Sequence, residues 1–178
     1  MKAFLAALLV AAMATACGEG RAIFNVDVYS FLQGTGDDTI PYAIPPGGGS
    51  ASSTPRKVSL PQGFGNSVVD SARFTGTADL RNTAGTGTIG LEIFVAADSA
   101  GTFNAPDTIG VAPANVSGTN TTPVTITGDL TNALNLFNQP QIWVRIEATG
   151  TNAGVTPVTG QMVLTSLFAR IVLQDKIF

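Results

Sequence analysis

The chain of 178 residues has no histidine, one cysteine and one tryptophan. Without histidine, Ser-His-Asp and Cys-His nucleophilic sites are excluded, and so are histidine metal sites. A single cysteine makes no intrachain disulfide, redox pair or thiolate cluster. Charge is also scarce. Asp, Glu, Lys and Arg make up 12% of the residues, against about a quarter in an average globular domain, and Thr, Gly, Ser and Asn fill the surface instead. The balance is nine basic against twelve acidic, a net charge of −3. The one basic pair, Arg56-Lys57, stands alone in a polar stretch, whereas nucleic-acid binding needs a concentrated positive footprint.

The first apolar stretch is short. Lys2 supplies a positive charge, Ala3 to Ala14 is an uncharged run of Ala, Leu, Val, Met and Phe, and Ala14-Thr15-Ala16-Cys17 ends it. A helix needs about 20 apolar residues to cross a bilayer. Positive start, short apolar core and small residues form the pattern of an export signal. The run into Cys17 resembles the lipobox of bacterial lipoproteins, in which small residues precede an invariant cysteine. It departs from that pattern at Ala14, where leucine is usual. The resemblance implies diacylglyceryl transfer to the Cys17 sulfur, cleavage before Cys17 and acylation of the new amino group. Gly18, in place of the aspartate that commonly retains such proteins in the inner membrane, implies the outer membrane. Ala14-Thr15-Ala16 also meets the rule for ordinary signal peptidase, which would cut the same bond and leave a soluble protein with an N-terminal thiol. The solitary cysteine favours the anchor, because acylation uses a thiol that is otherwise a liability in an oxidising compartment. More than one acyl chain gives stable attachment.

This reading divides the chain into a signal peptide, 1–16, a tether, 17–20, and one domain, 21–178. Patterned sequence begins at once after the tether, so a lipid on Cys17 holds the domain within about 14 Å of the bilayer even with the tether extended.

The domain reads as all-β. Period-two alternation predicts strands over Arg21 to Leu32, Val68 to Leu80, Thr86 to Ala96, Pro123 to Leu130, Gln141 to Thr149 and Met162 to Leu173. A short edge strand follows from Val58 and Leu60, stopped by Pro61, and another from Thr108 to Val111. Asn82-Thr83-Ala84-Gly85 joins two long runs as a hairpin turn. The Pro/Gly-rich stretch 41–55 predicts a long exposed loop, and Gly150 to Gly160 a second. Asp129 or Thr131 is placed to cap a helical turn or two through Phe137. In the last run, Val163, Leu167, Ala169, Ile171 and Leu173 are expected on one buried face. Seven to nine strands, with turn signals every ten residues or so and no long helix, indicate a single antiparallel β-sandwich, immunoglobulin-like or jelly-roll Greek key. Phe178 invites comparison with outer-membrane barrels, which often end in phenylalanine. Lys176, Gln174 and Arg170, at alternate positions before it, do not suit a lipid-facing strand.

Catalytic candidates reduce to carboxylates, and Asp37, Asp38, Asp79, Glu92 and Glu147 fall in turns or on outward strand positions with no marked pair. The expectation is a non-enzyme without cofactor, other than acyl lipid on Cys17. Asp37-Asp38, and Asp98 with Asn104 and Asp107, offer oxygen donors that suit calcium. The spacing matches no EF-hand loop, and Asp and Asn are ordinary turn residues. The candidate binding patch is Trp143 with Arg145, both expected outward on their strand, joined by Phe94 and Tyr29. Trp beside Arg is the composition of an interface hot spot or of a sugar-stacking platform; the plainer alternative is a loop covering the indole. The expected role is a membrane-anchored accessory or structural subunit packed on a membrane-protein complex. The alternative is a secreted or surface module that binds glycan or another extracellular ligand.

Overall fold

The structure, a computed structural model, describes residues 21–33, 35–60, 68–104 and 106–174. Cys17, the leader and the tether lie outside them, as does Pro61. The described chain forms ten strands: β1 (Arg21–Asp27), β2 (Thr39–Ile44), β3 (Gly49–Ser52), β4 (Arg56–Ser59), β5 (Val68–Ala84), β6 (Thr86–Ala96), β7 (Asp107–Ser117), β8 (Asn120–Asp129), β9 (Gln141–Thr151) and β10 (Val158–Gln174). Two short helices, α1 (Val28–Gln33) and α2 (Gly101–Asn104), and a 3₁₀ segment, η1 (Thr131–Asn138), complete it.

The strands make two antiparallel sheets. Sheet A runs β1-β10-β5-β8, with β2 also on β10; sheet B runs β3-β9-β6-β7, with β4 also on β9. β1 and β2 share one flank of β10, β1 along Phe168–Gln174 and β2 along Val158–Val163. β3 and β4 share one flank of β9 in the same way. Taking each split pair as one position leaves eight positions. Their pairings nest: first with last, second with seventh, third with sixth, fourth with fifth. This is the wrapped order of a jelly roll, and it decides between the two sandwich types expected from the pattern.

The core lies between the sheets. Phe74 and Leu80 of β5, Ile89, Leu91 and Ile93 of β6, Ile126 of β8, Ile142 and Ile146 of β9 and Met162 and Leu164 of β10 are all nearly inaccessible. Alternation along each strand places them there, since successive side chains point to opposite faces.

Six local expectations change. The run from Arg21 is not one strand. Asp27 accepts a hydrogen bond from the Ser30 amide at 3.2 Å and the Ser30 hydroxyl donates to the Asp27 carbonyl at 2.8 Å. The chain thereby turns into α1, where Val28 and Leu32, four apart on one helix face, are both buried. The supposed loop over 41–55 is mostly strand. Tyr42 and Ile44 of β2 are buried, and only Pro45 to Gly48 turn the chain into β3. Pro41 is tolerated because β2 is an edge strand. β7 spans eleven residues rather than a short segment around Thr108. η1 is N-capped by Leu130 without any side-chain hydrogen bond, so neither Asp129 nor Thr131 caps it. The second loop shrinks, because β9 runs on to Thr151 and β10 starts at Val158. Finally, Val163 is not on the buried face. Met162 and Leu164 point inward, a register shift between Leu164 and Ser166 inserts one residue, and Leu167, Ala169 and Ile171 continue the inward face. A bulge reverses the parity of everything beyond it.

The expected β5–β6 hairpin is a crossover. β5 pairs with β8 and β10, and β6 with β7 and β9, so the chain passes from sheet A to sheet B at Gly85. It returns from β7 to β8 at Gly118, whose amide donates to the Gly85 carbonyl at 2.8 Å. Asn82, expected in the turn, is instead buried on β5. Its amide nitrogen lies 3.1 Å from the Ala84 carbonyl, 3.3 Å from that of Gly85 and 2.6 Å from that of Gly118, tying the two crossovers together.

Candidate functional site

The outer face of sheet B carries the residues singled out by sequence. β9 directs Ile142, Val144, Ile146 and Ala148 into the core, which sets Trp143, Arg145 and Glu147 on the other side. The register puts Phe94 of β6 opposite Arg145, and Ala96 of β6 and Lys57 of β4 opposite Trp143. Arg145 does not reach solvent: it is 5% exposed. Its guanidinium lies 4.0 Å from the Phe94 ring centroid and 4.5 Å from that of Phe103. Nε and Nη2 donate to the Thr102 carbonyl at 3.3 and 3.0 Å, and Nη1 donates to Glu147 Oε2 at 2.5 Å. Helix α2 closes over the arginine. Asp98, one of the candidate calcium ligands, starts that helix by accepting the Gly101 amide at 2.7 Å.

Arg145 is therefore used inside the chain, and the expectation of a free Trp–Arg hot spot is corrected for the arginine. Trp143 is half-buried. Phe94 does meet Arg145, as expected. Tyr29 stands on α1 rather than on a strand; that helix packs on β10 and β4, and the ring is packed against the main core. Phe103 and Thr102 were not foreseen. The Asp-Ser-Ala-Gly stretch at 98–101 is the available signal, since Asp accepting an amide three residues on is a helix-start pattern.

Asp37 ties the turn after α1 to β4. Arg56 Nε donates to its Oδ2, and so does the Thr35 hydroxyl at 2.6 Å. Burial pushes the carboxyl's pKa up, but the hydrogen bonds from Thr35 and Arg56, the Arg56 charge and a bond from Thr54 outweigh it and hold the group below the ordinary Asp value. A depressed folded pKa gives stability that is present above the unfolded value of about 3.9 and lost as pH falls through the folded one. Asp37→Asn is expected to lower stability by about 2 kcal/mol at neutral pH. That difference should narrow below about pH 4, as read from urea midpoints at the two pH values. A loss that is constant with pH would show the charge to be irrelevant.

A second feature lies at the crossover end of sheet A. Arg81, Asn120, Thr121 and Gln161 rim an open groove of about 770 Å³, with Tyr42 and Gly160 among its lining. The Tyr42 hydroxyl donates to Asn82 Oδ1 at 3.3 Å, and burial pushes its pKa up to about 12. This is a neutral, rigidly backed phenol. The other side chains of the groove are amides, hydroxyls, one guanidinium and the Ala43 methyl, and Arg81 is 3.4 Å from Asp79. Among the described residues no three His, Cys, Asp or Glu side chains cluster as metal ligands. No described helix is long and apolar enough to cross a membrane, which says nothing of strands.

These features define a jelly-roll β-sandwich with its core packed between the two sheets. No protein-family model matches the chain, and no curated protein matches it. Solved structures do. A chain in the structure of infectious bursal disease virus Gx strain is 10% identical, with 89% of this chain and 38% of that chain covered and a TM-score of 0.50. A chain in the Gt strain structure is 14% identical over the same shares, with a TM-score of 0.49. This chain thus spans well under half the length of those proteins. At such identity the first likeness is one of fold alone.

Proposed function

We propose that the chain is a membrane-anchored, non-enzymatic lipoprotein that serves as an accessory or structural subunit packed on a membrane-associated protein complex. One observation carries this reading. β1 begins at Arg21 and is paired at once with Gln174 of β10, four residues after the lipobox-like Cys17, so an acylated chain has its folded body against the bilayer. The absence of histidine from the sequence, and the structural engagement of Asp37, Asp98, Arg145 and Glu147, support a role in contact rather than chemistry.

The expected result is a mature protein that begins at an acylated Cys17, fractionates with membranes and copurifies with partner proteins after detergent solubilisation. Intact-mass analysis and detergent fractionation check it. A bare N-terminal thiol on a protein found alone in the soluble fraction overturns it. A second reading, a binding module for glycan or another extracellular ligand, is favoured by the groove rather than by Trp143. The groove lies nearly the whole length of β10 away from Arg21, roughly 45 Å at about 3.3 Å per residue. It presents hydroxyl and amide groups suited to a hydroxyl-rich ligand.

A further inference from the structure

The cations of the domain are unevenly used. The chain has six arginines. Arg56 pairs with Asp37, Arg81 with Asp79, Arg145 with Glu147, and Arg21 reaches Asp70 at 3.8 Å. Among the described residues Arg73 and Arg170 make no ion pair. They stand directly opposite one another, on β5 and β10, and both are exposed on the outer face of sheet A. Like charges in this position repel. Asn25 of β1 flanks Arg170 and Asp129 of β8 flanks Arg73, and no salt bridge forms with that carboxylate. Asp27, one step along β1, is engaged with Ser30.

The same face carries two of the large exposed apolar side chains. Ile23 is 53% and Phe168 44% exposed. They bracket Arg170, because Ile23 is opposite Val172, Asn25 opposite Arg170 and Asp27 opposite Phe168. An exposed apolar, basic, apolar diagonal across β1 and β10 suits the headgroup boundary of a bilayer, where guanidinium groups meet phosphate and apolar side chains enter the interface. Ile23 lies on β1, the strand that begins four residues after Cys17, and Phe168, Arg170 and Arg73 lie on β10 and β5, the next two strands of the same sheet.

We propose that the outer face of β1, β10 and β5 lies on the membrane, with Arg73 and Arg170 sharing anionic phospholipid headgroups and with Ile23 and Phe168 dipping into the interface. The proposal rests on the anchor reading for its geometry, since a tether of about 14 Å leaves this face within reach of lipid. It makes the anchored body an oriented one, with the outer side of sheet B turned away from the bilayer.

The test uses the full mature protein with its native N-terminus, added to phosphatidylcholine vesicles with brominated acyl chains, with and without phosphatidylglycerol. Intact mass of the same preparation reports the state of Cys17 and so tests the anchor separately. Native Trp143 reports the outer side of sheet B; a Phe168→Trp, Trp143→Phe protein reports sheet A. The expected result is quenching about twofold greater at position 168 than at Trp143. In a Cys17→Ser background, R73Q/R170Q is expected to weaken binding to phosphatidylglycerol vesicles on the order of tenfold, without a change in circular dichroism. Equal quenching at the two positions in an acylated protein overturns the face and leaves the anchor standing. A bare Cys17 with quenching still favouring position 168 overturns the anchor and leaves the face. Competition by inorganic phosphate beyond that of chloride at equal ionic strength assigns the two arginines to a soluble phosphate and overturns the lipid assignment.

Discussion

Gly85→Ala is expected to destabilise the domain by about 3 kcal/mol or more, an effect normally seen for a cavity in the core. Two costs combine. Gly85 has φ +79°, a region that L side chains rarely adopt. A Cβ there would lie 2.5 Å from the Pro157 carbonyl oxygen and 2.8 Å from the Val158 Cα. Those are backbone atoms at the start of β10, the longest-paired strand of sheet A, and they cannot swing aside as a flexible side chain would. Gly118 is the internal control. It sits at the companion crossover with φ +57°, but nothing lies within 4 Å of where its Cβ would be. Gly118→Ala therefore carries the backbone strain alone, about 1 kcal/mol. Urea unfolding followed by circular dichroism compares the two. Equal losses would mean that the crossover can open without disturbing β10, and the packing argument would fail.

Arg145→Ala should cost about 3 kcal/mol. The substitution removes the cation from between Phe94 and Phe103, strands the Glu147 carboxylate and leaves the Thr102 carbonyl without its two donors. Breaking one side of a buried charged network is costly for the partner left behind more than for the lost attraction. Two further variants separate the contributions. Arg145→Lys keeps the charge but loses the planar group that stacks on both rings, so it should recover only part of the loss. Arg145→Ala with Glu147→Ala should be less destabilised than the sum of the single variants, because the orphaned charge is gone. Trp143→Ala, on a half-buried ring beside this network, should fall well below Arg145→Ala. If Arg145→Ala lay within about 0.5 kcal/mol of the parent protein, as an exposed side chain would, the arginine would have to be free in solution and available as a contact residue after all.

Where the physical signal is local, sequence and structure agree closely. β6 has the expected bounds, and β5 and β9 the expected inward residues, because a strand buried on one face must alternate. Its period survives any choice of neighbours. η1 falls near the expected turns for the same reason, as Ala133 and Phe137 both had to meet the core. The failures follow from contacts between distant segments. Pro41 to Pro45 looks like loop, and only the free flank of β10 makes a strand of it. Asn82-Thr83-Ala84-Gly85 has the composition of a hairpin turn, and only the sheet to which β6 belongs makes it a crossover. Arg145 alternates outward as a polar residue should, and only α2, placed by the path from β6 to β7, buries it.

The sequence alone determined the all-β class, the exclusion of histidine sites, intrachain disulfides and thiolate clusters, and the lipobox resemblance at Cys17, since each depends on residue type or on a period of two along one segment. Tertiary structure decided the nested jelly-roll pairing, the internal use of Arg145 and the facing Arg73–Arg170 couple, which makes no ion pair among the described residues. These are relations between β5, β6, β9 and β10 that depend on which strands become neighbours, and no local pattern specifies that.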